Sequence, residues 1–296
     1  MVIQTVVVIG AGLMGAGIAQ NAAVSGFRVH LIDESNEALQ KAIELINEKL
    51  ERRVLKGSLM EYDKQKILKR IQLTIDIKLV SEGDMVIEAV PEDISLKERV
   101  FHTIDRIAKP SAILASNTSG LSIAQLGSQT SRSENVIGFH YFYPAPLMKL
   151  IEVTPSILTS TKTVETTTKF AKALGKEPVI CNDYPGFLVN RILVPMMNEA
   201  IYCVAEGASP TDVDTAMKLG ANHLMGPITL ADFVGLDTLL STMEGLYEGF
   251  SDSKYRPCPL LKKYVESGML GAKTGRGFFG YDSDGNKMNV EGVLLS

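Results

Sequence analysis

Two residues twelve apart, His140 and Glu152, carry the chemistry that this chain makes most legible. A histidine is the natural general base near neutral pH. His140 closes the strand-like run Val136-Ile-Gly-Phe139 and enters the loop Tyr141-Phe-Tyr-Pro-Ala-Pro146. Ligands of open α/β sheets bind beyond the carboxyl ends of strands, so His140 stands where a reaction would take place. A strand-end histidine capped by backbone is the plainer alternative. Glu152 lies among Leu150, Ile151 and Val153, and burying it unpaired would be costly. The two prolines can turn the chain and return this run beside His140. A carboxylate on one imidazole nitrogen would fix the tautomer and raise the basicity of the other. A salt bridge to Lys149 is the competing account of Glu152. His30, inside a strand, His102, on an amphipathic helix, and His223, in a later helical segment, read as structural.

A second group of residues reads as a cofactor site. Residues 5–33 run TVVVIGAGLMGAGIAQNAAVSGFRVHLID: an apolar run, a glycine turn, a small-residue helical pattern, and a second run ending on an acid. Gly10, Gly12 and Gly15 suit a tight turn, close backbone approach to a pyrophosphate, and close packing of helix on strand. Leu13 and Met14 complete the turn, and the free N–H groups of the helix suit phosphate charge. Asp33, eighteen residues after Gly15, can bind both ribose hydroxyls and repel a 2′-phosphate, so NAD is expected over NADP. A glycine-rich turn that binds nothing would leave Asp33 unexplained. Ala115-Ser-Asn-Thr-Ser-Gly120 is another polar strand end, able to hydrogen-bond a substrate oxygen or a nicotinamide amide. Asn117-Thr-Ser119 also fits a glycosylation sequon, here read as chance. Asn190, in the apolar helical pattern after Pro185, either bonds between helices or points into a cleft between domains.

These groups need a frame. Strand-like runs at 6–9, 29–32, 72–74, 85–89, 112–115 and 136–139 alternate with helical segments, the pattern of an α/β, doubly wound parallel sheet. Runs at 149–153 and 178–181 extend the same sheet. Past Asp183 the character changes: 187–206 is one apolar helical pattern, kinked at Pro195, and no convincing strands follow. The expected organisation is a Rossmann-type sheet domain at 1–183 and an all-helical C-terminal domain at 184–296.

Between the second and third runs, 35–56 reads as one helix, with Ser35 as N-cap and Gly57 as stop. Leu39, Ile43, Ile46, Leu50 and Val54 form its apolar stripe. Glu37, Glu44, Glu48 and Glu51 occupy one flank, and Lys49, Arg52, Arg53 and Lys56 the other. The four cations are either part of a solvated helix or an anion-binding ridge.

Composition bounds the partners. The 296 residues allow two domains, and a net charge of −4 speaks against general nucleic-acid binding. No apolar run approaches the ~20 residues of a membrane span. Met1 leads directly into a strand, so no secretory signal is expected. Cys181, Cys203 and Cys258 show neither metal-ligand spacing nor an even disulfide framework, so no metal site and a cytoplasmic location are expected.

Taken together, these stretches resemble the L-3-hydroxyacyl-CoA dehydrogenase family, specifically its short bacterial 3-hydroxybutyryl-CoA type. The matching segments are IGAGLMGAGIAQ at 9–20, VIEAVPED at 86–93, ASNTSGLSI at 115–123 and GFHYFYPAPLMKLIEV at 138–153. They continue with DYPGFLVNRILVPMMNEA at 183–200, MGPITLADFVGLDT at 225–238 and GAKTGRGFFGY at 271–281. The resemblance implies reversible NAD-dependent oxidation of an L-3-hydroxyacyl-CoA to the 3-ketoacyl-CoA, in fatty-acid β-oxidation or butanoate metabolism. It implies that His140 and Glu152 are the catalytic base pair and that Ser119 and Asn190 hydrogen-bond the substrate oxygen or its surroundings. Cofactor contacts then fall on the glycine loop, Asp33, Glu92, Lys97 and Asn117. Lys56 corresponds to a coenzyme A contact, which turns the basic ridge into a site for the nucleotide phosphates. The helical domain is implied to make a homodimer contact.

Two departures from the family pattern stand out. Tyr143 occupies the place of the usual asparagine, which leaves substrate pose and chain-length preference open. The family's His-Pro-Met-Gly-Pro appears as His223-Leu-Met-Gly-Pro227. Two rival classes remain: a 2-hydroxyacid or sugar-acid dehydrogenase, with no use for the basic ridge, and a non-catalytic dinucleotide-binding protein, with no use for a His140–Glu152 pair.

Overall fold

In the computed structural model, which describes residues 2–288, eight strands form one sheet in the order β3-β2-β1-β4-β5-β6-β7-β8. The elements are β1 (Thr5–Ile9), α1 (Leu13–Val24), β2 (Arg28–Ile32), α2 (Asn36–Leu55), α3 (Glu61–Lys69), β3 (Ile71–Thr74) and β4 (Met85–Glu88). They continue with α4 (Ile94–Ile107), β5 (Ile113–Ser116), α5 (Ile123–Ser128), β6 (Val136–Tyr141), β7 (Leu150–Thr154), α6 (Thr161–Ala173) and β8 (Glu177–Ile180). The chain leaves β1 toward β2 and β3, then restarts on the other side at β4. That reversal of direction creates the crevice where ligands of such sheets bind.

All neighbouring strands run parallel except β6 and β7, which pair antiparallel. The sheet is therefore mixed rather than wholly parallel. Its central strands are apolar without alternation because both faces are covered. Val6 and Val8 of β1 join one core with Ala16, Ala19 and Ala23 of α1, whereas Val7 and Ile9 join another with Phe101 and Ile104 of α4.

The long helix is bounded as its caps predict. Ser35 accepts the Ala38 N–H, and the chain leaves α2 through Gly57 at φ +68°, a conformation that favours glycine. Leu39, Ala42, Ile46 and Leu50 are its buried face. The following α3, which weak apolar periodicity did not announce, takes up the rest of the long crossover.

A second compact unit begins at Leu188, the first ending at Phe187. It comprises α7 (Val189–Ala205), α8 (Pro210–Gly220), α9 (Pro227–Val234), α10 (Leu236–Phe250) and α11 (Pro259–Glu266). Its own core includes Met197, Ile201, Ile228, Leu239, Met243 and Leu261. Pro195 lies inside α7, and beyond α7 only isolated β-bridges occur among the described residues. The buried carboxylate of Asp232 accepts the Phe278 and Phe279 N–H groups and the Tyr281 hydroxyl, tying the later chain to α9.

Candidate active site

The glycine turn is built for close approach. Gly10 has φ +100°, and a Cβ there would lie 2.6 Å from the Ala89 carbonyl oxygen, just past β4. A Cβ on Gly15 would lie 1.8 Å from the Gly10 carbonyl oxygen, so any larger residue separates α1 from the turn. Gly12 differs: a Cβ would meet nothing within 4 Å, and no side chain caps α1 there. The first N–H groups of α1 thus border open space, as a bound pyrophosphate requires.

Leu13 is exposed and Met14 partly buried at the start of the helix. Asp33, directly after β2, accepts the Ala11 N–H at 2.8 Å with one oxygen and the Ser35 N–H at 2.9 Å with the other. Beside it, a cleft of about 410 Å³ is lined by Gly10, Asp33, Ile75, Val90, Pro91 and Val100 among others. Its apolar walls and the carboxylate of Asp33 at its edge suit the adenosine half of a dinucleotide. The residues present fit NAD.

The antiparallel turn-back at β6–β7 brings His140 and Glu152 into register as direct cross-strand partners. His140 Nδ1 and Glu152 Oε2 are 2.7 Å apart, with both side chains nearly buried. Glu152 therefore meets the imidazole rather than Lys149. The ring is flanked by Phe142 and Phe187 at centroid distances of 4.5 and 5.9 Å. Nε2 has no hydrogen-bonding partner among the described residues.

The loop after His140 is fixed from several directions. Lys176 Nζ donates to the Ala145 and Met148 carbonyl oxygens at 2.7 Å each, and burial pulls its pKa below the usual lysine value. Tyr141 donates its hydroxyl to Asn21 of α1, and burial pushes its pKa far up. A Cβ on Gly17 would lie 3.0 Å from the Ala145 Cβ, so α1 packs closely on the same loop. Tyr143 is exposed, before a cis peptide bond to Pro144.

Asn117 links three strands: its N–H donates to the Glu88 carbonyl oxygen, and its Oδ1 accepts the Tyr141 N–H at 2.9 Å. Next to it, one oxygen of Glu92 accepts from the Thr118 hydroxyl at 2.6 Å, the Ser119 N–H at 2.8 Å and the Ser119 hydroxyl at 3.1 Å. Lys97 sits behind them with 1% of its side chain exposed, its ammonium 2.7 Å from Glu88 and 3.3 Å from Glu92.

Glu88 is the residue that reading the sequence passed over. It is fully buried at the end of β4, accepting from Lys97, the Ser116 hydroxyl and the Val90 N–H. Burial pushes its carboxyl above the usual carboxylate range, against the pull of those donors. The signal was available: an acid at the end of the apolar run MVIE, the same anomaly that marks Glu152.

Lys49, Arg52 and Arg53 lie on α2 and Lys56 is its C-cap, Arg52 and Lys56 exposed and the other two half-buried. None forms an ion pair among the described residues, whereas Glu51 on the opposite flank pairs with Lys64 of α3. Asn190 is in the first turn of α7. Among the remaining histidines, His30 contacts Glu82 at 3.2 Å and His102 is exposed on α4.

Sheet order, glycine turn and the acid after the second strand define a Rossmann-type dinucleotide-binding protein. The comparisons specify the family. Residues 5–184 match the 3-hydroxyacyl-CoA dehydrogenase NAD binding domain, and residues 186–281 match the C-terminal domain of the same family. The 3-hydroxybutyryl-CoA dehydrogenase of Bradyrhizobium diazoefficiens is 49% identical over 281 residues, covering 95% of this chain and 96% of the relative. The mitochondrial hydroxyacyl-coenzyme A dehydrogenase of Homo sapiens is 43% identical over 290 residues, covering 95% and 92%. The crystal structure of (S)-3-hydroxybutyryl-CoA dehydrogenase from Ralstonia eutropha superposes with a TM-score of 0.93 at 45% identity, covering 95% of this chain and all of that one. The chain belongs to the 3-hydroxyacyl-CoA dehydrogenase family, an oxidoreductase family whose cofactor is NAD.

Proposed function

We propose that this chain catalyses the reversible oxidation of a short L-3-hydroxyacyl-CoA, with 3-hydroxybutyryl-CoA as its preferred substrate. The observation that carries the mechanism is the 2.7 Å contact between His140 Nδ1 and Glu152, which commits the other nitrogen to the substrate. His140 Nε2 takes the proton of the C3 hydroxyl, and Glu152 steadies the imidazolium that forms. NAD, when bound, supplies the acceptor for the hydride lost from C3. The glycine loop, Asp33, Glu92, Lys97 and Asn117 hold or border the cofactor. Ser119 and Asn190 hold the reacting oxygen, and Lys49, Arg52, Arg53 and Lys56 meet the coenzyme A phosphates.

The helical unit, taken from 184 onward, serves substrate binding and dimerisation, and the sheet domain to 183 serves NAD. Exposed Leu219, Leu224 and Phe233 on the helical unit support a homodimer face. Free cysteines at Cys181, Cys203 and Cys258 accord with a reducing cytoplasm, and no helix among the described residues is long and apolar enough to cross a membrane. The enzyme then acts in fatty-acid β-oxidation or butanoate metabolism.

One assay separates this reading from its rivals. NADH oxidation is followed with acetoacetyl-CoA and free acetoacetate, and NAD reduction with simple sugar acids. Turnover is expected with the thioester alone. Faster turnover of a free acid would overturn the assignment, as would no turnover of any of them.

A further inference from the structure

We propose that Phe187, the last residue of the sheet unit, is a positioning residue: its ring walls off His140, keeping water from the His140–Glu152 hydrogen bond and fixing the imidazole for proton transfer. The proposal rests on the dehydrogenase reading above and adds to it a residue that acts through the base.

A phenylalanine is an unfavourable choice for the backbone at this position. Phe187 has φ +49°, directly after Gly186 at +72°, a left-handed conformation that suits glycine and is costly for a bulky side chain. The other non-glycine residues in that region among the described residues, Asn222 and Ser251, are small and polar. Such strain persists only where the surroundings over-determine it, and this turn is pinned along its length. Asp183 accepts the Ile123 and Ala124 N–H groups at 2.9 and 2.8 Å, fastening the turn to the start of α5. The Phe187 N–H donates to the Tyr184 carbonyl oxygen at 3.0 Å. A Cβ on Gly120 would lie 3.0 Å from the Gly186 nitrogen, so the turn also abuts the segment that carries Ser119.

The side chain placed in this way is 2% exposed and joins the apolar core that contains Ile123, Leu126 and Cys181. Its centroid lies 5.9 Å from that of His140, with the rings tilted by 60°. Phe142 lies nearer, but it is half-buried and stands in the loop after β6. Phe187 is therefore the fixed wall of the two. The His140 and Glu152 side chains it borders are 9% and 1% exposed. In turnover this pair becomes an imidazolium and a carboxylate, whose attraction is strongest where water is excluded. Water admitted beside Nδ1 would compete for its proton and free the ring to turn. A small misplacement of Nε2 is enough to slow proton transfer.

A buried phenylalanine also stabilises a core simply by filling it, so the test must separate the two roles. Phe101, equally buried in the same apolar core but without a ring contact to His140, is the control. The full-length chain is compared with Phe187→Leu, Phe187→Gly and Phe101→Leu by thermal melting and by kcat and KM for acetoacetyl-CoA at saturating NADH. The low-field proton resonance of the His140 Nδ1–H, assigned by its absence in His140→Gln, is recorded for each. Wild type is expected to show that resonance. Phe187→Leu is expected to lower kcat about ten- to a hundredfold with a smaller change in KM, and to broaden or erase the resonance through exchange with water. Phe187→Gly, which suits the left-handed turn but has no ring, is expected to do the same. Phe101→Leu should lower the melting temperature while keeping both kcat and the resonance. Equal kcat losses in Phe101→Leu and Phe187→Leu would overturn the proposal, leaving Phe187 as core packing only. Near-normal kcat in Phe187→Gly would overturn it too, since the turn alone would then suffice. So would a wild-type Nδ1 proton already in fast exchange with water, whatever the variants do. A wild-type chain inactive on acetoacetyl-CoA would instead refute the dehydrogenase reading, and the resonance would still decide whether Phe187 shields His140.

Discussion

Glu152 and Glu88 are two carboxylates buried in apolar strands of one sheet, and they end on different partners. Glu152 meets a histidine across an antiparallel pair, and Glu88 meets a lysine from the helix that follows its own strand. An imidazole changes charge near neutral pH and has a second nitrogen with which to move a proton. An ammonium at Lys97, with its donors aimed at three protein acceptors, transfers nothing and fixes geometry. The same anomaly in sequence, an acid among aliphatics, thus marks a proton-handling device in one place and a scaffold in the other. The identity and freedom of the partner decide which.

Substitutions at the two acids should fail in different ways. Glu152→Gln retains shape but loses the charge that supports the imidazolium and selects the tautomer; kcat should fall about 10²-fold or more while the melting temperature moves little. Glu88→Gln is expected to reverse that pattern, destabilising the fold by about 1–3 kcal/mol in denaturant titrations, with a loss of turnover well below that at Glu152. Equal kinetic losses at the two positions would collapse the distinction.

Two smaller effects lie outside both pairs. Lys56→Ala is expected to raise KM for acetoacetyl-CoA about five- to tenfold at low salt, with kcat nearly unchanged and the difference shrinking as salt screens the ridge. An identical effect with free acetoacetate would show that the ridge does not meet coenzyme A. Asp84 provides a third kind of acid, tied to Lys109 and to the Gln4 and Thr5 N–H groups. Burial pushes its carboxyl up, but these bonds prevail and hold it below the ordinary value. A pKa lowered by folding contributes stability above the unfolded value, and the contribution is lost as pH falls through the folded one. Asp84→Asn should therefore cost about 1 kcal/mol at neutral pH, a gap that closes below about pH 4. A gap that widens in acid would contradict the assignment of those bonds.

The sheet was legible because strands covered on both faces are apolar without interruption, as in Val6-Val7-Val8-Ile9. The edge strand β8 is largely exposed, and its register on β7 needed the structure. The long α2 announced itself through Ser35, Gly57 and its apolar stripe, whereas α3, nine residues long and mostly polar, did not. The pairing of His140 with Glu152 could be anticipated because the intervening loop is short and turned by two prolines. The linkage from Glu88 to Ser119 could not: Lys97 reaches back from a helix, and Asn117 and Ser119 are tied across strands by backbone groups that no residue pattern specifies. Family resemblance implies a cofactor contact at Lys97, and the structure adds that its ammonium also meets Glu88, the Val90 carbonyl and Glu92.

The central claim is that His140 moves the substrate proton. Its most direct test is kcat/KM for acetoacetyl-CoA with NADH in wild type and His140→Gln, with NADH affinity titrated on the same preparations. The account predicts a loss of about 10²–10⁴-fold with NADH affinity and melting temperature essentially unchanged. Near-normal turnover in the variant would contradict it.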